Sequence, residues 1–518
     1  MLLLQSSLAM SRILPNIRLK PALPIRHPSK NIRFCRKDVN RNVFYSLLLC
    51  TIYGMADNLW SGTVFAAYLQ LISENKNAAV GYIEGANGLA ALLTAIPVGY
   101  LADKYPRSRI IWMGGVALIL TAGAHMYVLF YVGNDVPDDH SVRTRSFWLY
   151  LMIMAFWGSA GGVVNGPVQA LYADSTPRGD RTTYYVYLFA SYMLSSCVGP
   201  LISIVLFQVW GDNWTVERLK NVILVGMVLE ICAACPMFFF SDGASLKEKE
   251  DQSVENAEED NAVAGEAKEG ADDATPGTTA ELERRRKLIP YFLFAFDMIV
   301  SLGSGMTVKF FPLFFKNDCK LNPTNVQVIY TIVPIFMVVC SKIGSSFSKI
   351  AGRVQTIIIV KSLGLSFLYI IIFFDEYLQK RPFLLIPIYV LRTGLMNSTY
   401  PLQESILMDF VPKGERARWK SLESVSQFGW CGSAVLGGLL SDRFDYTFTF
   451  LITAILQSLG VLGYSLLIPL VPRSEKDFAK ARTEGSDLAK PLLDDSDVDN
   501  DGLGSVLDEG NEELSDYI

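Results

Sequence analysis

The chain has 518 residues, is 51% apolar and carries a formal net charge of −5. Its apolar residues fall in blocks of about 20, long enough to cross a ~30 Å hydrocarbon core as helices, so a string of soluble domains is excluded and an integral multi-pass membrane protein is expected. The charge is uneven: residues 241–287 carry −7 and residues 484–518 carry −11, which leaves +13 on the rest of the chain.

Residues 1–41 form a basic N-terminal tail. Residues 1–37 hold eight Lys or Arg and no acid. Such a stretch suits either a cytoplasmic tail lying on anionic lipid or an organelle transit segment. The apolar start Met1-Leu-Leu-Leu4 is too short for a signal-peptide core, and the tail is the preferred reading.

Six hydrophobic helices follow, at about 42–71, 79–102, 108–132, 146–172, 183–210 and 219–240, and together form an N-terminal half over 42–240. In the third, His125 reads as a packing residue. In the fifth, Gly199-Pro200 predicts a bend with a locally freed carbonyl. The sequon Asn213-Trp-Thr215 falls in a loop after the fifth. Cys232-Ala-Ala-Cys235 has redox spacing but sits in an apolar helix, where small packing residues are the better reading.

Residues 241–287 are rich in Glu, Asp, Gly and Ser and poor in aromatics, so a disordered cytoplasmic linker is expected. Six more helices are expected at about 288–315, 324–347, 354–375, 382–408, 419–440 and 446–471, forming a C-terminal half over 288–471. A disordered acidic tail over 472–518 closes the chain. Within it, residues 497–508 have the spacing of a calcium loop without convincing flanking helices, a match that arises easily in acidic tails. An even helix count places both termini on one side. The basic N-terminal flank and Arg284–Lys287 make that side cytoplasmic.

One loop is written twice. Asp174-Ser-Thr-Pro-Arg-Gly-Asp-Arg181 and Asp409-Phe-Val-Pro-Lys-Gly-Glu-Arg416 lie 235 residues apart, each after the fourth helix of its half. Asp57 with Ser61 and Asp297 with Ser301 repeat at a separation of 240 residues. The halves therefore read as repeats of one six-helix unit, a transporter architecture with a central cavity. Pro177 and Pro412 stop the preceding helices. Asp174 with Arg181 and Asp409 with Arg416 are expected to pair as two cytoplasmic latches.

Gly99-Tyr-Leu-Ala-Asp-Lys-Tyr-Pro-Arg-Ser-Arg109, between the second and third helices, resembles the signature loop of the major facilitator superfamily (MFS). The match rests on Gly99, Asp103, Lys104, Arg107 and Arg109. Pro106 stands where a Gly is usual, and Ser348 replaces the acid in the second-half copy near Gly344. The resemblance covers residues 42–471 and implies an all-α MFS fold of twelve transmembrane helices, two pseudo-symmetric six-helix halves around a cavity. It implies a gating role for the five matched residues, whose bland alternative is topology alone. Gly199-Pro200 resembles part of the helix-five signature of proton-coupled antiporters, but the Gly-Gly expected next is absent.

Charges inside membrane helices are costly and usually functional. Asp57 and Asp297 are read as protonatable coupling or substrate-contact groups, the alternative being a structural hydrogen bond. Arg392, with no basic counterpart in the first half, needs an anion: Glu404, Asp297 or a substrate group. It lies twelve residues, about 18 Å of helix, from Glu404, too far to pair unless the helix breaks near Pro401. Glu84 joins the candidates, although it and Lys309 can snorkel to water from near the helix ends.

These readings predict a secondary transporter of a small solute, working by alternating access and driven by protons. A facilitative uniporter of a polar solute and a non-transporting receptor on a transporter fold are the alternatives. No nucleophile–base constellation, metal set or nucleotide-binding signature appears, so no enzyme activity, cofactor, metal or nucleic-acid partner is expected. The partners are the solute, protons and the bilayer, the protein a monomer, and the membrane the plasma membrane, an endomembrane or an organelle envelope.

Overall fold

A computed structural model of the protein describes residues 31–34, 37–176, 181–246, 288–411 and 423–471. The expected disorder of the linker beyond Leu246, the calcium-type loop at 497–508 and the latch residue Arg416 lie outside the described residues.

A two-stranded antiparallel hairpin precedes the helices, β1 (Asn31–Phe34) with β2 (Lys37–Asn40). The tail reading did not foresee it. The first membrane segment is not one helix but two, α1 (Arg41–Trp60) and α2 (Val64–Ile72), interrupted at Ser61-Gly62-Thr63. The Asn40 side chain accepts from the Asn42 amide and so caps α1. Then come α3 (Asn77–Lys104), α4 (Arg107–Val132), α5 (His140–Asp174), α6 (Arg181–Trp210) and α7 (Val216–Ala234), which a 3₁₀ turn extends to Phe239. Helix α5 starts six residues earlier than expected because Asp139 caps it, accepting from the Ser141 amide at 2.8 Å.

The second half has α8 (Ile289–Val308), α9 (Phe311–Asn317), α10 (Pro323–Ala351), α11 (Arg353–Phe373), the short α12 (Asp375–Gln379), α13 (Pro382–Ser398), α14 (Tyr400–Phe410), α15 (Glu423–Arg443) and α16 (Tyr446–Gly463). The expected single helix over 382–408 is broken at Thr399. Pro401 has no amide hydrogen and its ring crowds the preceding turn, so the helix restarts with Pro401 in its first turn. The segment expected over 288–315 breaks in the same way at Lys309-Phe310, ahead of Pro312. Nine helical segments among the described residues are long and apolar enough to span a bilayer alone. The halves of the broken tenth segment are each too short to count as one.

Packing joins the halves through two pairs of long helices, α3 with α15 and α6 with α10. The first half is cored by Trp60, edge-on to His125 and Trp157 at 5.1 Å. The second is cored by Phe311, stacked on Phe450 at 4.2 Å. We call the end bearing α1's start and residue 240 the linker end, and the other the far end.

Candidate functional site

The site begins at the two interrupted helices. Interruption of α1–α2 leaves the Ser61 carbonyl outside any helical ladder, and Lys309 follows the last turn of α8. The Lys309 ammonium reaches across the halves. It donates to the Ser61 carbonyl at 3.3 Å and pairs with Glu84 of α3 at 3.3 Å. Asp57, one turn before Ser61, lies within electrostatic reach of Lys309 and Glu84. The Cys431 thiol of α15 donates to the other Glu84 oxygen at 3.6 Å. Glu84 and Lys309 were expected to reach water separately; instead they meet in a buried pair, their side chains 10% and 13% exposed.

Around this pair the halves are zipped tightly. Gly81 and Gly88 of α3 face Ala434 and Cys431 of α15. A Cβ at Gly81 would stand 2.4 Å from the Ala434 carbonyl oxygen, and one at Gly88 2.3 Å from the Cys431 Cβ. Glycine is required there because the helix backbones nearly touch. Above the zip, Asp442 at the end of α15 accepts from the Asn77 and Ala78 amides, at 2.7 and 2.8 Å, and caps α3. Tyr446, Asn77, Gln70, Asn317 and Lys316 complete a polar lid. Among the described residues, hydrogen bonds joining the halves concentrate at this far end. Toward the linker end a Cβ at Gly99 or Gly344 would meet nothing within 4 Å.

Asp297 is not brought to the same place as Asp57. It accepts from Gln403 of α14 at 2.9 Å, and the Tyr464 hydroxyl lies 3.4 Å from the same oxygen. Lys361 of α11 sits over the Tyr464 ring at 5.7 Å and within the field of Asp297. Glu404 lies beside Gln403 on α14. Arg392 meets neither Glu404 nor Asp297: its guanidinium contacts Gln457 of α16 at 3.4 Å and lies over the Phe311 ring at 5.4 Å.

At the linker end Arg107 pairs with Asp174. The side chains of Arg181, Asp103 and Asp409 lie outside the described residues, and with them the expected pairing of Asp174 with Arg181. Ser108 donates its amide (3.2 Å) and hydroxyl to Asp242, so the start of the linker is pinned to the signature loop. Lys104 lies over the Tyr100 ring at 4.4 Å, and Arg109 is exposed. Gly199 allows α6 to touch α1: a Cβ there would stand 2.6 Å from the Met55 carbonyl oxygen. Pro200 lies inside α6.

Among the buried polar groups that escaped the sequence reading, three stand near the site. Glu230 of α7 is fully buried and accepts from the Trp60 indole at 3.0 Å. Lys361 and Gln457 are the others. An ionisable residue within an apolar block was the available signal for Glu230 and Lys361, the same one that singled out Asp57. Gln457 carries no such signal.

The sequence profile of the Major Facilitator Superfamily matches residues 47–422 and, in a second alignment, 293–503. An uncharacterized transporter of Buchnera aphidicola subsp. Acyrthosiphon pisum is 24% identical over 143 residues, 27% of this chain and 32% of that protein. The chain thus aligns with about a third of that relative's length. Among solved structures, a D-xylose–proton symporter superposes with a TM-score of 0.63 at 10% identity, covering 84% of this chain and 98% of that one. A bacterial homologue of the iron transporter ferroportin, in its inward-facing state, superposes with a TM-score of 0.61 at 13% identity, covering 82% and 98%. At these identities the likeness is one of fold.

Proposed function

The chain belongs to the Major Facilitator Superfamily and is a multi-pass membrane transporter, and from that premise we propose a proton-coupled secondary transporter working by alternating access. The observation that carries the proposal is the buried cluster in which Lys309, from the second half, faces Glu84 and Asp57 of the first.

Two carboxyls and one ammonium leave one surplus negative charge when all are ionised. A bare charge in a membrane interior is costly, about 2.5–3.5 kcal/mol or more, so the cluster favours taking up one proton. The ion pair also joins the halves, so opening the far end must separate Lys309 from Glu84. Separation leaves the two carboxyls without their cation in a cavity then open to far-side water, where a proton replaces the ammonium. Closing the far end brings Lys309 back and expels that proton toward the linker side. Proton binding and far-end closure by Lys309 thus compete for the same carboxyls, which is the requirement for coupling.

The test is uptake into proteoliposomes holding the full chain, with and without an imposed pH gradient, over a panel of small solutes. Wild type should concentrate its solute only with the gradient. Asp57→Asn and Glu84→Gln should retain solute exchange at equilibrium but lose gradient-driven accumulation. Accumulation by both variants equal to wild type would sink the coupling. Movement of solute without accumulation in the wild type would make the protein a uniporter.

A further inference from the structure

The charges in the second half do not balance. Lys309 has Glu84, and Lys361 has Asp297 within its field. Arg392 has no carboxylate: among the described residues its polar contact is the 3.4 Å bond to the neutral Gln457, and Nε is buried without a partner. The residue is only 4% exposed, and the Phe311 ring covers one face of the guanidinium. The hydroxyls of Tyr389, one turn earlier on α13, and Tyr330 of α10 lie 3.2 Å apart and within its electrostatic reach. Gln327, one turn before Tyr330, is 1% exposed, with both amide atoms unpartnered. Four helices therefore surround a permanent positive charge with spare donors and supply no anion. Guanidinium stays charged at any physiological pH, so the deficit is not relieved by losing a proton.

We propose that Arg392 anchors the anionic group of the transported solute, a carboxylate or a phosphate, by a forked pair of hydrogen bonds. The inference rests on the transporter reading and deepens it by naming the substrate class. Both anion types present two coplanar oxygens at the spacing of the guanidinium edge. Gln457 is the placeholder. Its amide nitrogen donates to Ser304 Oγ at 2.9 Å on the half-buried face of α8, while its oxygen makes only the long contact to Arg392. An anion arriving along α8 displaces that oxygen and meets the guanidinium edge, with the aromatic ring closing the face. Carriage of one proton on the Asp57–Glu84 cluster alongside a monovalent anion at Arg392 makes the transported charge zero.

The experiment is thermal unfolding of the purified full chain in detergent, followed by tryptophan fluorescence. Sodium phosphate, sodium succinate and glucose-6-phosphate are titrated against sodium chloride of equal ionic strength. At least one of the three should raise the unfolding temperature of wild type in a saturable way, and the identity of that one separates carboxylate from phosphate. Arg392→Gln should lose the shift, and Arg392→Lys should bind at least about ten-fold more weakly, because a lysine cannot fork. Should Arg392→Gln fail to fold, Tyr330→Phe and Tyr389→Phe, which keep the rings, should each weaken binding several-fold. The proposal falls if no anion outdoes chloride on wild type, or if the folded Arg392 variants or both tyrosine variants respond as wild type does. No proton gradient is present, so that outcome would leave the coupling reading standing. Equally, a coupling failure in vesicles would leave the shift untouched.

Discussion

Asp57 and Asp297 sit 240 residues apart in matching places of two repeated halves, yet their surroundings differ. Asp297 is held within its own half, by Gln403, Tyr464 and the nearby Lys361. Among the described residues Asp57 has no such local cation; the ammonium in its field, Lys309, comes from the other half. Glu84, Glu230 and Lys220 are buried on the first-half side, and Arg353, Lys361 and Arg392 on the second. A charge balanced inside one rigid body stabilises that body. A charge balanced across two bodies depends on their arrangement, so only the second kind can sense or drive rocking.

The sharpest way to break this contrast is Lys309→Gln. It leaves Glu84 and Asp57 without a cation in a buried site, and breaking such a pair costs about 3–5 kcal/mol. Gradient-driven uptake should fall at least about a hundred-fold, by the exponential relation between energy and rate. The double variant Lys309→Gln/Glu84→Gln removes both charges; it should recover membrane accumulation on gels but not gradient dependence.

Next in size is Asp297→Asn, set beside Asp57→Asn in one vesicle assay. Asp297→Asn leaves Lys361 without its anion and should lower the unfolding temperature by several degrees while uptake stays gradient-dependent. Asp57→Asn should do the reverse. Equal behaviour of the two would restore the symmetry that the sequence suggests.

Gly81→Val probes the zip rather than the charges. Its side chain would collide with the Ala434 carbonyl, an overpacking worth about 1–3 kcal/mol, enough to shift the far end toward open. Spin-label distances between the far ends of α3 and α15 should lengthen. Gly99→Ala, with nothing within 4 Å, should leave them unchanged.

The smallest expected effect lies in the loop after α9. Burial, then the neighbouring Asp375, pushes the Asp318 carboxyl up from 3.8 to about 6. The folded state therefore holds the proton more tightly than the unfolded one. Stability falls as pH rises from about 4 to about 6 and stays at the lower level above. Asp318→Asn should raise the unfolding temperature by about a degree at pH 7.5, since the group is half exposed, and by nothing at pH 4.

Much of this was legible before any coordinates. Apolar block length gave the helices, and the signature from Gly99 to Arg109 gave the family. What escaped was pairing in space. Lys309 lies 225 residues from Glu84, and no periodicity relates residues that meet only across two packed halves. The breaks at Ser61 and Lys309 escaped too, because hydropathy averages through two or three non-helical residues. Proline was the available signal: the missing amide of Pro401 made a break near Thr399 foreseeable, and Pro312 carried the same signal for the break at Lys309. Loop repetition drew attention to Asp174 but gave no hint of Arg107, which pairs with it from the neighbouring loop.

Cys431 has a use beyond its bond to Glu84. Its thiol is buried where α3 and α15 press together, at the floor of the far-end closure. A water-soluble maleimide added from that side cannot touch it while the zip is shut, and can once it parts. In a background lacking the other cysteines, the labelling rate is a clock for opening, read without knowing what the protein carries. Acceleration or slowing of that clock by each solute in a library would turn the substrate search into a conformational screen.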